Sequence, residues 1–302
     1  MEILTTIFSF VFLAQVLRLF TPYFLGATGA NFSERGGVIN IAIEGFMISG
    51  AFCFTFLTLQ SGLSVIGILF ALLINSLLAL FFSFFVLKLK LNQILIGVGF
   101  NLLIAGLAKF FMMFIFKSSS NTPRIDEIPR IKLLENIPFL GNVFSDYIIL
   151  LSIILIFLSH FVLYKTKFGL RLRSCGENPE AADTSGVNVH LYKFYGILVS
   201  AILSCLAGVW LASNQNSYSD GMIAGRGYIA IAAMIIGKWK PVNIFWACLL
   251  FAFFEALEIS LQIIQTGIPN QLIQMLPYLI TILVLVGFIG KTKPPAADGV
   301  PY

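Results

Sequence analysis

The chain has 302 residues, of which 58% are apolar and 11% charged, and its mean hydropathy is +0.94. A soluble domain is roughly 45–50% apolar and about 25% charged, so too few polar side chains remain to coat a water-exposed surface. A soluble enzyme and a disordered chain are excluded. The net charge of +5 is small and sits asymmetrically at membrane edges, so no nucleic-acid partner is expected.

Apolar stretches of about 17–25 residues match the thickness of a bilayer. In chain order they are 3–23, 38–59, 63–87, 91–116, 147–164, 191–212, 222–237, 242–264 and 271–289. These spacings predict an all-α polytopic membrane protein with about nine transmembrane helices, eight to ten allowing for the ambiguous stretches. The first stretch has no basic region ahead of it and reads as a retained helix rather than a cleaved leader. The stretch 21–37 holds Pro22, several glycines and the pair Glu34/Arg35, and is expected to form a short re-entrant segment. The stretch 222–237 is short for a full crossing and is expected to be broken or tilted.

Alternating these spans places Arg35, Lys88, Lys90, Lys165, Lys167, Arg171, Arg173, Lys193, Lys238, Lys240, Lys291 and Lys293 on one side. The other side carries only Lys117, Arg124, Arg130 and Lys132, all in one loop, 117–146. By the positive-inside rule the first side is cytoplasmic, which puts the C-terminus inside and the N-terminus outside. Residues 1–293 then form a single transmembrane domain, 165–190 a cytoplasmic loop and 294–302 a C-terminal tail.

Five polar patterns interrupt the apolar background. In the cytoplasmic loop, Gly176-Glu177-Asn178-Pro179-Glu180-Ala181-Ala182-Asp183 reads as a capped helix start. Asn178 is an N-cap, Pro179 occupies the first helical position and Gly186 stops the helix, predicting a short helix near 178–186. Its acidic residues Glu180 and Asp183 suit a positive helix end. In the second pattern, Asn40 and Glu44 lie four residues apart and are expected to share a helix face. A carboxylate within the membrane faces protein or a water-filled cavity, so Glu44 is either a gate residue or a structural hydrogen-bonding group.

The third pattern runs from Asn92, a helix start, through Gly97 and Gly99, which permit close packing, to Asn101, a polar group deep in a span. In the fourth, Arg226 opens a run of small residues and is expected to pair with Asp220 or to touch a polar substrate, with pairing preferred. The fifth is a polar stripe of Glu255, Glu258 and Gln262 on one span, which must face protein or a pore. Asn40, Glu44, Asn101, Arg226, Glu255 and Glu258 are therefore the candidates for lining a pathway.

Cys53, Cys175, Cys205 and Cys248 show no CxxC spacing, and His160 and His190 have no cluster of metal-binding partners. No metal site and no catalytic residues are expected. The chain has no Walker A pattern, so ATP coupling must come from a partner.

At these residues a family resemblance emerges. The segments 34–51 (ERGGVINIAIEGFMISGA), 92–106, 176–189 (GENPEAADTSGVNV) and 225–241 (GRGYIAIAAMIIGKWKP) together resemble membrane permeases of bacterial ABC importers, in the branched-chain amino acid/ribose-type family and its nucleoside and simple-sugar branch. The resemblance implies a multi-pass protein of the bacterial inner membrane, without an ATPase site or bound cofactor of its own. It implies as partners a second permease subunit, often a longer paralogue, a cytoplasmic ATPase that uses ATP and magnesium, and an external substrate-binding lipoprotein. The loop 176–186 would be the coupling helix that docks on the ATPase. Nucleosides are the expected substrate, ahead of ribose-like sugars and branched-chain amino acids. The rival from another class is a secondary transporter driven by protons through Glu44, Glu255 and Glu258.

Overall fold

A computed structural model describes residues 10–125, 147–263, 269–275, 279, 282 and 293–302. The described residues are helical, with no strand and one isolated antiparallel bridge between Asn121 and Ser219. The helices are α1 (Phe10–Arg35), α2 (Ile43–Ser61), α3 (Ser64–Ser83), α4 (Gln93–Phe116), α5 (Tyr147–Lys165), α6 (Lys167–Glu177), α7 (Pro179–Thr184), α8 (Val189–Gln215), α9 (Arg226–Ile236), α10 (Pro241–Ile263) and α11 (Asn270–Gln274). A π-helical turn, Phe84–Lys88, extends α3. Six of these helices are long and apolar enough to cross a membrane, or seven if α5 and α6, bent by 70°, count as one broken span. That is fewer than the nine expected. The stretch 271–289 lies mostly outside the described residues, as does most of the loop 117–146.

Helices α1, α2 and α8 make the centre of the bundle, while α3 and α4 lie at its periphery. Along their most apolar 18-residue stretches α1, α2 and α8 are 67% buried, α3 and α4 only 28%. On α3 the outward side chains are Leu69, Leu73, Leu77 and Leu80, an apolar stripe at helical spacing. Such a stripe facing outward suits hydrocarbon rather than water. The central helices approach closely because small residues face each other. A Cβ on Gly50 would sit 2.5 Å from the Cys205 carbonyl oxygen, and one on Gly208 would collide with the Met47 carbonyl. Packing of this kind replaces the hydrophobic drive that lipid does not supply.

The stretch 21–37 forms no re-entrant segment, contrary to the sequence expectation: Thr21 to Arg35 is the second half of the continuous helix α1. Two features signalled a break. Pro22 has no N–H to offer Arg18, yet the Arg18 carbonyl accepts instead from the Trp210 indole of α8 at 3.0 Å, so the helix continues. The glycines mark close contacts: a Cβ on Gly26 would lie 2.5 Å from Met47 and 3.0 Å from Ala230.

The stretch 222–237 is not a full span either. Gly221, Ala224 and Gly225 adopt left-handed backbone conformations with φ of 75°, 52° and 79°. The chain turns there and α9 begins only at Arg226. Its 11 residues reach about 17 Å, roughly half the hydrocarbon thickness. The turn before it is held by α4 and the segment after it: Thr122 N–H donates to Tyr218 O, Asp220 N–H to Ser120 O, and Lys109 of α4 pairs with Asp220 at 3.0 Å.

Candidate functional site

Between α1 and α2 the residues 36–42 leave the helix, so their backbone groups need partners inside the bundle. Side chains of α4 and of the segment itself supply several of them. Gln93 Oε1 of α4 accepts from Ile39 N–H at 2.7 Å. Asn101 of α4 donates to Ile41 O at 2.9 Å and to the Tyr228 hydroxyl at 3.0 Å, and its oxygen accepts from Gly45 N–H at 2.8 Å. Asn40 accepts from Ala42 N–H at 3.1 Å and donates to Ser200 of α8 at 2.9 Å. Because α2 starts only at Ile43, Asn40 and Glu44 do not share a helix face as their spacing suggested.

Glu44 turns instead to the start of α9. Its two carboxylate oxygens accept from Gly225 N–H at 2.9 Å and Gly227 N–H at 2.7 Å. It also lies in the first turn of α2. One carboxylate thus sits at the positive ends of two helices and meets N–H groups that would otherwise be orphaned. Gly227 permits this approach, since a Cβ there would lie 2.8 Å from the Glu44 backbone.

Beside this junction lies a cavity of about 270 Å³, lined by Tyr23, Arg226, Glu255, Glu258 and Gln274 among others. Arg226 pairs with Glu255 at 2.6 Å, not with Asp220, whose partner is Lys109. The pairing partner is decided by the descent of residues 216–225, which carries Arg226 against α10. The Arg226 guanidinium also donates to Met222 O and Ile223 O. Glu258 accepts from Gln262 along α10 at 3.0 Å, so two of the three stripe residues bond to each other. Of the sequence candidates, Glu44, Asn101 and Arg226 meet around the start of α9, Glu255 and Glu258 border the cavity, and Asn40 lies toward α8.

A second polar centre joins the ends of α1, α6 and α9. Helix α7 forms as expected: Asn178 accepts from Ala181 N–H at 3.0 Å, Pro179 opens the helix, and Gly186 follows it with φ of 80°. Just before it, Gly176 packs so tightly on Arg35 and Gly37 that a Cβ would collide with the Arg35 carbonyl. The Arg35 guanidinium donates to Trp239 O at 3.1 and 3.0 Å and to the Tyr164 hydroxyl at 3.2 Å, and faces Glu177 at 3.9 Å. The Trp239 indole N–H donates to Glu34 at 2.7 Å. This hub therefore ties α7, through Gly176 and Glu177, to α1 and to the turn between α9 and α10. Glu34, Arg35 and Trp239 were not among the sequence candidates. Their signal was a charged pair ending an apolar run, opposite an interfacial tryptophan.

Residues 12–285 match the family described as branched-chain amino acid transport system, permease component. The chain belongs to this family. It is 38% identical to the guanosine ABC transporter permease protein NupQ of Bacillus subtilis over 295 residues, covering 93% of this chain and 92% of that protein. Identity to the nucleoside ABC transporter permease protein NupC of Lactococcus lactis is 36%, covering 97% and 96%. A putative glucose ABC transporter permease, TsgC13 of Haloferax volcanii, is 29% identical over 90% of each chain. No solved structure matches. This permease is thus a multi-pass membrane protein of the ABC transporter class.

Proposed function

We propose that this permease is the transmembrane subunit of an ATP-driven importer of nucleosides in the bacterial inner membrane, with its N-terminus outside and residues 1–293 as one permease domain. The observation that carries the substrate class is identity of 36–38% along nearly the whole chain to permeases named for guanosine and for nucleosides. The glucose permease relative, at 29%, makes simple sugars the second reading.

In this reading ATP and magnesium are bound by a cytoplasmic ATPase that docks on α7, the coupling helix, with Gly176 to Gly186 as its surroundings. A second permease subunit, a longer paralogue, completes the path, and an external lipoprotein delivers substrate. Movement of α7 passes through Gly176 and Glu177 to Arg35, and from Arg35 to the Trp239 turn that ends α9. At the other end of α9, Glu44 and the Arg226–Glu255 pair feel the same movement. Arg226, Glu255 and Glu258 offer polar contacts to a sugar hydroxyl or base edge in the cavity. Asn40 and Asn101 act as positioning residues that keep the unwound segment 36–42 in shape, and Glu44 as one that holds the start of α9.

The test is uptake of radiolabelled guanosine in cells with and without this chain, with ribose as competitor. Energy-dependent uptake lost on deletion, and poorly competed by ribose, is the expected result. Intact guanosine uptake with lost ribose uptake moves the substrate to sugars. Uptake that survives ATP depletion but not a protonophore overturns the ATP-driven reading.

A further inference from the structure

Where α3 ends, the π-helical turn Phe84–Lys88 is closed by Leu89 N–H donating to Phe84 O at 3.1 Å, and Leu91 N–H donates to Phe85 O at 3.2 Å. Lys90 then takes a left-handed conformation with φ of 53°, which stops the helix and turns the chain toward Asn92 and α4. The turn sets Lys88 and Lys90 side by side at one end of the bundle, the end that carries α7, since Lys90 and Asp183 border one hollow. Both lysines are exposed, and among the described residues neither is in an ion pair. The Lys88 ammonium lies back over the Phe84 ring, 5.6 Å from its centroid.

The two lysines border a groove of about 550 Å³ whose far wall is the start of α8, at His190 and Phe194. Leu80, Phe84 and Leu87 make the rest of the wall apolar. From there an exposed stripe of Phe84, Leu80, Leu77 and Leu73 runs away along α3 at helical spacing. It covers about 17 Å of helix, close to one leaflet of a hydrocarbon core about 30 Å thick. The other end of α3, across residues 59–70, holds no charged residue. One end of the stripe is therefore concave and cationic, and the remainder is apolar and open to lipid.

We propose that this groove binds one anionic phospholipid, its headgroup phosphate between Lys88, Lys90 and His190 and an acyl chain along the α3 stripe. Basic groups at the membrane interface attract anionic headgroups, and a zwitterionic lipid gains less because its own cation offsets the phosphate. Asp183 borders the adjoining hollow of about 820 Å³, beyond Lys90 and His190, and does not line the groove itself. An acidic segment of another protein would match the lysines but not the leucine stripe that runs on into hydrocarbon, so the stripe selects a lipid. The site stands on α3 and the start of α8, and depends neither on the transported substrate nor on the role of α7.

The experiment is native mass spectrometry of the full chain in detergent, titrated with phosphatidylglycerol and with phosphatidylcholine of the same acyl chains. The expected result is a first phosphatidylglycerol adduct about thirtyfold tighter than the phosphatidylcholine adduct, from two lysines at about fivefold each. Lys88→Gln with Lys90→Gln should abolish the preference, and Lys88→Arg with Lys90→Arg should keep it. Lys165→Gln with Lys167→Gln removes two lysines outside the groove and should also leave the preference intact. Equal binding of the two lipids by the parent chain, or an equal loss in both glutamine pairs, overturns the site. Displacement of phosphatidylglycerol by glycerol 3-phosphate would make it a site for soluble phosphate and overturn the lipid assignment.

Discussion

The Arg226–Glu255 pair makes an asymmetric prediction. Its side chains are 20% and 12% exposed, and the contact is 2.6 Å long. Replacing Glu255 by Ala leaves a guanidinium that cannot shed its charge. Breaking a buried pair in this way costs about 3–5 kcal/mol. The guanidinium keeps its bonds to Met222 O and Ile223 O, which places the cost toward the lower end. Replacing Arg226 by Ala leaves Glu255 bordering the cavity, so the loss is a hydrogen bond and some packing, about 1–2 kcal/mol. Substituting both by apolar residues, Arg226→Met with Glu255→Leu, should be close to neutral. At about 2 °C per kcal/mol for a chain of this size, Glu255→Ala lowers the apparent Tm by about 6–10 °C and Arg226→Ala by about 2–4 °C. Tryptophan fluorescence of the solubilised protein during heating at fixed scan rate reads both shifts. Equal losses from the two single substitutions, or strictly additive losses in the double variant, would refute the reasoning.

Four further outcomes follow from the packing and from the helix α7. Gly208→Ala forces a Cβ onto the Met47 carbonyl where α2 and α8 cross, and should cost about 1–3 kcal/mol or more, read as poor yield and early melting; a chain as stable as the parent would mean the two helices do not cross so closely. Gly97→Ala presses on Ile41 at 3.0 Å, whereas Gly99 has nothing within 4 Å. The first should lower the melting temperature, and the second should hold or raise it by about the 1 kcal/mol helical advantage of alanine. Gly176→Ala drives the approach to α7 away from Arg35, so uptake should fall severely while membrane insertion, measured by surface-restricted labelling, stays normal. Glu180→Ala with Asp183→Ala should leave ATP hydrolysis running while uptake drops, and unchanged uptake after disrupting the whole Gly176–Asp183 segment would sink the coupling role of α7.

The Asn178-Pro179 start of α7 was legible because capping is local: the residues that decide it are neighbours in the chain. The same holds for Asn92, whose side chain accepts from Ile94 and Leu95 N–H at the start of α4. Glycines were less legible. Gly97 and Gly99 look alike in the sequence, but only Gly97 faces another part of the chain, Ile41 and Ala42, because two residues along a helix turn the side-chain direction by roughly 200°. Pro22 misled for a related reason: its missing bond is made good by Trp210, 188 positions away in the chain numbering.

The sequence by itself determined the solvent, the all-helical class and the short helix before Gly186. These follow from composition, run length and contacts a few residues apart, and a bilayer permits few alternatives. Only the tertiary structure decided that 21–37 is helix, that 222–237 is half a span, and that Arg226 pairs with Glu255. It alone brought Glu34 to Trp239 and Arg35 to Glu177. Inside the bundle each freed backbone group and each charge must find a partner, and the partner that lies nearest in space belongs to a distant part of the chain.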